Sequence, residues 1–181
     1  YRQSCSSSVY ELPSNDLMLR CDLKSRLGTE ARLLLACART RIDAQKEAEI
    51  RDLASGSIDW DLVVRKAEEH GLAPLLYHNL KTVCPEAAPG PLMERLRRRF
   101  RGSAYQGMLL SAELFALVRL FDNEGLEMIP YKGPLLAQAA YGDVGLRESS
   151  DLDILVRPRD VPKAANVLLK RSYQPAVDLA R

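Results

Sequence analysis

The stretch Ser-Ser-Asp-Leu-Asp-Ile-Leu-Val, residues 149–156, carries the clearest structural and functional signal in the chain. From Leu152 onward it is apolar apart from one aspartate and contains two β-branched side chains, which predicts a strand. Because side chains alternate between the two faces of a strand, Asp151 and Asp153 should stand side by side on one face. The alternate apolar side chains should be buried on the other face.

The two carboxylates predict a metal site. Neighbouring carboxylates repel each other, and a divalent cation held between them removes that repulsion. Mg²⁺ typically takes one or two protein carboxylates together with phosphate oxygens of a substrate. Asp151 and Asp153 are therefore candidate Mg²⁺ ligands, with Mn²⁺ as a second candidate ion. The alternative is that the two acidic side chains are simply exposed to solvent where the strand begins. The residues before the pair favour the metal site.

The preceding segment, Met-Ile-Pro-Tyr-Lys-Gly-Pro-Leu-Leu-Ala at residues 128–137, predicts a short strand that runs into a helix. Gly133 is acceptable as a helix N-cap, and Pro134 is favoured at the first helical position. A helix start attracts anions because its backbone N–H groups are free and its dipole is positive there. Lys132 adds a charge, and Gly133 has no side chain that would keep a phosphate away. An ordinary strand-to-helix turn with an incidental lysine is the alternative.

Arg147 lies shortly before the acidic pair, in the loop that also holds Ser150. A guanidinium can hold a phosphate through two parallel hydrogen bonds, so this arginine is a candidate phosphate ligand. An ion pair with Glu148 or Asp143 explains Arg147 equally well.

The succession of strand, glycine, short helix, arginine-bearing loop and Asp-x-Asp strand resembles the nucleotidyltransferase fold of the DNA polymerase β superfamily. Residues 131–137 and 150–156, with Arg147 before the second segment, more closely resemble the branch known as uncharacterised nucleotidyltransferases. That branch has Lys-Gly where other members have Gly-Ser. The resemblance is strongest over residues 125–175 and looser in the helical part before them.

The resemblance implies an enzyme that transfers a nucleoside monophosphate from a Mg²⁺-NTP to an acceptor hydroxyl, with loss of pyrophosphate. The acceptor, a small molecule or a protein, is not identified by any residue. Asp151 and Asp153 would be catalytic and would bind the metal. The nucleotide would be bound by Lys132, Gly133, Arg147 and Ser150.

The family resemblance also requires a third carboxylate on a later strand. After Asp160 the sequence contains one further acid, Asp178, which lies closer to the acidic pair than the family pattern requires. The third carboxylate is therefore expected beyond residue 181. We expect a truncated chain with little or no activity.

The expected fold is α/β in the α+β sense: a helical N-terminal part followed by a polymerase β-like core with a small mixed sheet, incomplete here. We divide the chain into a partly disordered segment (1–28), a helical subdomain (29–90) and a nucleotidyltransferase core (91–181). Strands are predicted near residues 127–131 and 151–156. A long helix that opens the core is predicted from Pro91 to about Asn123, before Gly125. In this helix apolar residues spaced by four predict the buried face: Leu92, Leu96, Phe100, Ala104 and Met108.

Composition indicates a globular, cytoplasmic protein without a membrane or nucleic-acid partner. Of the 181 residues, 46% are hydrophobic and 28% are charged, and the net charge of +2 is too small to indicate nucleic acid. No apolar stretch approaches the roughly 18 residues that a membrane helix needs. The four cysteines are far apart and lack a CxxC or a histidine at ligand spacing, which argues against a zinc site and fits reduced thiols.

A non-catalytic helical interaction module is the alternative function, with a protein or RNA bound by the arginines of residues 95–101. On a helix these arginines spread around the polar faces, and a solvated surface is the simpler interpretation. The two functions differ in geometry. The enzyme requires Lys132, the Gly133 N–H and Arg147 to open onto the cleft of the acidic pair, whereas the module leaves these groups scattered.

Overall fold

The computed structural model describes residues 27–175. Residues 1–26, most of the segment predicted to be disordered, and Asp178 lie outside the described part of the chain. The elements follow in chain order as α1 (Thr29–Cys37), α2 (Ala44–Ser55), α3 (Trp60–Glu69), α4 (Ala73–Val83), α5 (Gly90–Asn123), β1 (Met128–Tyr131), α6 (Gly133–Leu136), a π-helical turn (Ala137–Tyr141), a 3₁₀ turn (Val144–Leu146), β2 (Asp153–Val156), a second 3₁₀ turn (Pro158–Asp160) and α7 (Val161–Lys170).

The two strands pair antiparallel, with Met128 opposite Val156 and Tyr131 opposite Asp153. Together with the helices, this sheet confirms the predicted α/β class, although the two described strands form an antiparallel rather than a mixed sheet. Asp153 is exposed at the start of β2, and Asp151, just before the strand, is exposed as well. The alternation is as predicted, because the intervening apolar side chains pack inward: Leu152, Ile154 and Val156.

Aspartate caps fix the starts of two N-terminal helices. The Asp43 carboxylate accepts a hydrogen bond from the Lys46 backbone N–H at 2.8 Å, at the start of α2. The Asp59 carboxylate accepts one from the Leu62 backbone N–H at 2.9 Å, at the start of α3. Each bond satisfies a backbone donor that has no partner within its own helix, which stabilises the helix by about 1 kcal/mol.

Two hydrophobic cores lie along the described chain, and α5 contributes to both. The first is formed by α1 to α4 and the N-terminal half of α5, where Leu96 is fully buried. The second packs the C-terminal half of α5, including the fully buried Phe121, against the sheet and α7. The predicted boundary between the helical subdomain (29–90) and the nucleotidyltransferase core (91–181) falls at the start of α5. Because α5 contributes to both hydrophobic cores, this boundary stays a prediction.

The predicted apolar face of α5 is wrong at its far end. Leu96 is buried and Leu92 and Phe100 pack against the first core, but Met108 is 59% exposed. Each step of four residues on a helix with 3.6 residues per turn overshoots a full turn by about 40°. Four such steps carry Met108 about 160° around the helix from Leu92, so the two side chains cannot share a face.

By length and composition α5 could cross a membrane, so the expectation that no stretch would qualify is wrong. Core helices of soluble proteins pass the same test, which makes a single helix of this kind weak support for a membrane protein. Leu117 and Phe121 of α5 are buried in the second core, but only 17% of the qualifying stretch is buried in the described structure, so α5 is not a mostly buried core helix. The expectation of a protein without a membrane partner stays a prediction.

Candidate active site

A strained turn joins β1 to α6 at Lys132 and Gly133. Lys132 has φ 63° and ψ −141°, and Gly133 has φ 54°. Glycine adopts a positive φ freely, whereas Lys132 has a Cβ and must be held in this conformation by its surroundings, at a cost of roughly 1–3 kcal/mol. Strained backbone is concentrated at functional sites, which makes this turn a candidate for positioning a ligand.

The helix after this turn begins one residue earlier than predicted. Lys132 rather than Gly133 is the N-cap, so Pro134 occupies the second helical position. Since proline has no N–H, the unpaired backbone donors of the first positions are those of Gly133 and Leu135. Because α6 is a single turn, its dipole is small. An anion at this turn would therefore have to be held by these two N–H groups and by the Lys132 charge.

Gly133 lies against the backbone that leads into the acidic strand. A Cβ placed on Gly133 would lie 3.3 Å from the carbonyl oxygen of Asp151 and 3.7 Å from Leu152 Cδ2. The first distance is tighter than an ordinary van der Waals contact, so a side chain would press these segments apart. The fold therefore brings the Gly133 turn directly beside Asp151.

Lys132 approaches the second aspartate of the pair. Its Nζ lies 4.0 Å from Asp153 Oδ2, and the two side chains are 50% and 46% exposed. The same nitrogen lies 5.1 Å from the centre of the Tyr131 ring, within the range of a cation–π contact. A surface ion pair of this kind contributes at most about 1 kcal/mol, so the lysine can turn to a phosphate at little cost.

Arg147 fixes the loop that precedes the acidic strand. Its Nη1 donates a hydrogen bond to Ser149 Oγ at 2.5 Å, and its side chain is partly buried. Arg147 forms no ion pair with Glu148 or Asp143 within residues 27–175. Asp143 instead accepts a hydrogen bond from the Gly145 N–H at 2.7 Å, and Glu148 is exposed. Arg147 likewise makes no hydrogen bond or ion pair with either aspartate of the pair in this part of the chain.

Small residues anchor the same loop to α5, a contact that sequence reasoning missed. A Cβ on Gly107 would lie 2.9 Å from the Val144 carbonyl oxygen, and one on Gly145 would lie 2.9 Å from Ala104 Cβ. Both distances are too short for a real side chain, so the helix and the 3₁₀ turn approach this closely because both residues are glycine. The available signal was Gly107 itself, since a glycine inside a helix costs about 1 kcal/mol and suggests a packing role.

The anchored loop and α5 border an open groove of about 740 Å³. Three arginines of the basic run, interpreted above as a solvated face, line it together with the residues just before the acidic strand. Ser150, a predicted nucleotide ligand, is among them. Its lining residues include Arg95, Arg98, Arg99, Ser103, Ser149 and Ser150.

Glu68 of α3 holds two of these arginines in place. Its carboxylate accepts a hydrogen bond from Arg95 Nε at 2.8 Å, another from Arg95 Nη2, and a longer one from Arg99 Nε at 3.4 Å. The Glu68 side chain is 13% exposed. The hydrogen bond from Arg95 lowers the pKa of Glu68 against the opposing effect of burial, so the carboxylate is ionised at neutral pH.

Residues 56–179 match the sequence profile of a protein family described as uncharacterised nucleotidyltransferase. The chain belongs to this family. The resemblance inferred from the Lys132–Gly133 turn and the Asp-x-Asp strand is confirmed, and the match extends back through the helices from residue 56. No curated protein and no solved structure matches the chain.

A nucleotidyltransferase of this superfamily is expected to use a divalent metal, for which Asp151 and Asp153 are the candidate ligands. Within residues 27–175 no group of three or more His, Cys, Asp or Glu side chains could hold a metal, and Cys37 and Cys84 are buried free thiols. Two exposed carboxylates still suit Mg²⁺, which takes one or two protein carboxylates plus water and substrate phosphates. The donor set fits a Mg²⁺ ion that arrives with a nucleotide better than a closed protein site.

Proposed function

We propose that this nucleotidyltransferase transfers a nucleoside monophosphate from a Mg²⁺-NTP to the hydroxyl group of an acceptor. The proposal rests on the meeting of the Lys132–Gly133 turn with the acidic strand. Lys132 Nζ lies 4.0 Å from Asp153 Oδ2, and Gly133 packs against the Asp151 backbone. A Mg²⁺-bound triphosphate spans on the order of 10 Å, so one such ligand can reach all of these groups.

Each residue of the turn and of the acidic strand has a role in this proposal. Asp151 and Asp153 would hold Mg²⁺, which when bound neutralises charge that develops on the triphosphate as pyrophosphate leaves. The backbone N–H groups of Gly133 and Leu135 would donate to phosphate oxygens. Lys132 would exchange its weak ion pair with Asp153 for a phosphate, because the metal then satisfies the carboxylate.

Ser150 and Arg147 would support the nucleotide from the neighbouring loop. Ser150 is the residue before Asp151, and its hydroxyl group can donate a hydrogen bond to a phosphate oxygen. Arg147 uses Nη1 to bind Ser149 Oγ, which leaves other guanidinium N–H groups for a phosphate.

The family resemblance further implies a third carboxylate, which would bind a second metal ion and activate the acceptor hydroxyl. We propose that it is none of the acids in residues 27–175, and that Asp178 lies too close to the acidic pair in the sequence to supply it. The 181-residue chain should then bind Mg²⁺-NTP weakly and turn over little or none of it. Robust activity of the same chain would assign the role to Asp178 instead.

Calorimetry tests the role of the acidic pair. Mg²⁺-ATP and then the other three Mg²⁺-NTPs are titrated into the wild-type chain and into Asp151→Asn/Asp153→Asn. The double variant should keep its fold, because both side chains are exposed, and should lose the heat of nucleotide binding. Asp122→Asn, at an exposed position on α5, is the matched control and should bind like the wild type. Equal heats for the wild type and the double variant would refute the proposal.

The non-catalytic interaction module has less support than the enzyme. It requires Lys132, the Gly133 N–H and Arg147 to lie scattered away from the acidic pair, whereas Lys132 Nζ lies 4.0 Å from Asp153 Oδ2 and the Gly133 turn packs against the Asp151 backbone. The arginine-lined groove also reaches Ser149 and Ser150, beside the acidic strand, and Glu68 partly neutralises two of its arginines, Arg95 and Arg99. We therefore treat the groove as part of the enzyme.

A further inference from the structure

We infer that the groove lined by Arg95, Arg98 and Arg99 binds the acceptor, and that the acceptor carries a phosphate group in addition to the hydroxyl that attacks the nucleotide. The acceptor role rests on the proposed function, whereas the anion site stands on its own. The groove includes Ser150, the residue before Asp151, so a ligand in it lies beside the metal site. Its volume of about 740 Å³ is within the usual range for small-molecule sites.

The arginines are arranged to bind an anion. Glu68 engages Arg95 through Nε and Nη2 and Arg99 through Nε, so each arginine retains further N–H donors. Arg98 makes no hydrogen bond or ion pair with any described residue. The guanidinium fork matches two phosphate oxygens, and because Glu68 already orders two of the side chains, binding costs less conformational entropy.

A buried hydroxyl group in the groove wall lacks a partner. Ser103 is 9% exposed, and its Oγ makes no hydrogen bond within residues 27–175. Buried polar groups without partners are rare because each costs about 1–3 kcal/mol. A serine in a helix can bond to the carbonyl four residues earlier, as Ser111 Oγ does to the Gly107 oxygen at 2.7 Å. Ser103 does not, and its Oγ has almost no solvent-accessible surface, so an oxygen of a ligand in the groove would satisfy it only after the serine side chain rotates.

Charge and position favour a small anion that is not the NTP. The groove contains three arginines and two glutamates, Glu68 and Glu148, so its formal charge is +1 (3 − 2). Arg97 of the same run pairs with Glu94 at 3.0 Å and does not line the groove, which breaks the basic stripe that a nucleic-acid backbone would need. The triphosphate is assigned mainly to the Lys132–Gly133 turn, which lies outside the groove, and Ser150 is the groove residue at which the two substrates would meet, so the arginine-lined part remains for the second substrate.

Binding of inorganic phosphate without Mg²⁺ or NTP tests the anion site. Phosphate should bind to the wild-type chain, and Arg98→Gln should weaken binding about tenfold, because a charge-assisted hydrogen bond to a phosphate is lost. Arg97→Gln is the matched control and should bind phosphate like the wild type. Unchanged binding in Arg98→Gln, or equal weakening in both variants, would overturn the inference.

Two further measurements separate this inference from the proposed function. Asp151→Asn/Asp153→Asn should lose Mg²⁺-ATP binding and keep phosphate binding, so a failure of the metal role leaves the anion site measurable. Arg98→Gln should leave Mg²⁺-ATP binding unchanged, and loss of that binding would assign the groove to the triphosphate and overturn the acceptor role.

A single-stranded RNA oligonucleotide tests the remaining alternative occupant. It should bind no more tightly than inorganic phosphate. An oligonucleotide that binds more tightly, and loses affinity in Arg98→Gln, would make the groove a nucleic-acid site and overturn the inference.

Discussion

Lys132 combines two properties that a substitution can separate. Its backbone, at φ 63°, turns the chain from β1 into α6, and its ammonium group lies 4.0 Å from Asp153 Oδ2. The backbone conformation costs stability, whereas the charge is the part that a triphosphate would use. At a strained functional turn we expect this combination, in which the backbone conformation lowers stability while the side chain serves ligand binding.

We predict that Lys132→Gly and Lys132→Ala lose Mg²⁺-NTP affinity equally but differ in stability. Glycine adopts φ 63° freely and alanine retains the strain, so the glycine variant should have the larger free energy of unfolding, by roughly 1 kcal/mol. Urea denaturation measures the stabilities, and calorimetry measures the affinities. Equal stabilities would mean that the positive φ is not maintained in solution, and retained affinity would remove Lys132 from nucleotide binding.

Among the elements, α5 determines where the site residues lie. The sequence predicted its extent well, because a proline, a long apolar repeat and a terminal glycine are local signals. The face that each residue presents was harder to predict, since spacing by four drifts around the helix and leaves Met108 59% exposed. The contact of Gly107 with Val144 could not be predicted, because a small residue on a helix is compatible with solvent exposure or with close packing.

Paired glycine substitutions on α5 test this contact. Gly102→Ala should stabilise the protein by up to about 1 kcal/mol, because alanine is the better helix former and nothing lies within 4 Å of the new methyl group. Gly107→Ala gains the same helix propensity, but its methyl group would lie 2.9 Å from the Val144 oxygen, so it should destabilise by about 1–3 kcal/mol.

Gly107→Ala should also weaken Mg²⁺-NTP binding, because the displaced 3₁₀ turn carries the loop of Arg147 and Ser150. Urea denaturation and calorimetry on both variants provide the measurements. If Gly107→Ala proved as stable as Gly102→Ala and bound nucleotide normally, the close packing of this loop would not exist in solution.

At the scale of the whole molecule, features built from a few consecutive residues could be predicted from the sequence, whereas features built from distant residues could not. The Lys132–Gly133 turn and the Asp151–Asp153 strand could be located because each is coded in a few consecutive residues. The arginine-lined groove could not be located from the sequence, because its lining residues come from α3, α5 and the loop before β2, which are far apart along the chain. Glu68 shows the difficulty: its partner Arg95 lies 27 positions away, and neither residue alone distinguishes an inter-helix pair from two solvated charges.

The Glu68–Arg95 pair links the helical part of the chain to the groove, and its pH dependence can be predicted. The pKa of Glu68 is lowered, chiefly by the hydrogen bond from Arg95, so the carboxylate binds a proton more weakly in the folded state than in the unfolded state. Its stabilising contribution is therefore fully present above the ordinary glutamate pKa and is lost as the pH falls through the lowered value.

Glu68→Gln should reduce the free energy of unfolding by about 1 kcal/mol at pH 7, a modest loss because Arg95 is partly solvent-exposed. The difference from the wild type, measured by urea denaturation, should stay constant above the ordinary glutamate pKa of about 4.3 and shrink as the pH falls below it, because the unfolded and then the folded wild-type carboxylate is protonated. Glu86→Gln, at an exposed position without an ion pair in residues 27–175 but within electrostatic reach of Arg51, should show a much smaller effect. A Glu68 difference that did not shrink at all as the pH was lowered, down to acid unfolding of the protein, could not come from the charge of the carboxylate, and packing of the side chain would then account for the link between α3 and α5.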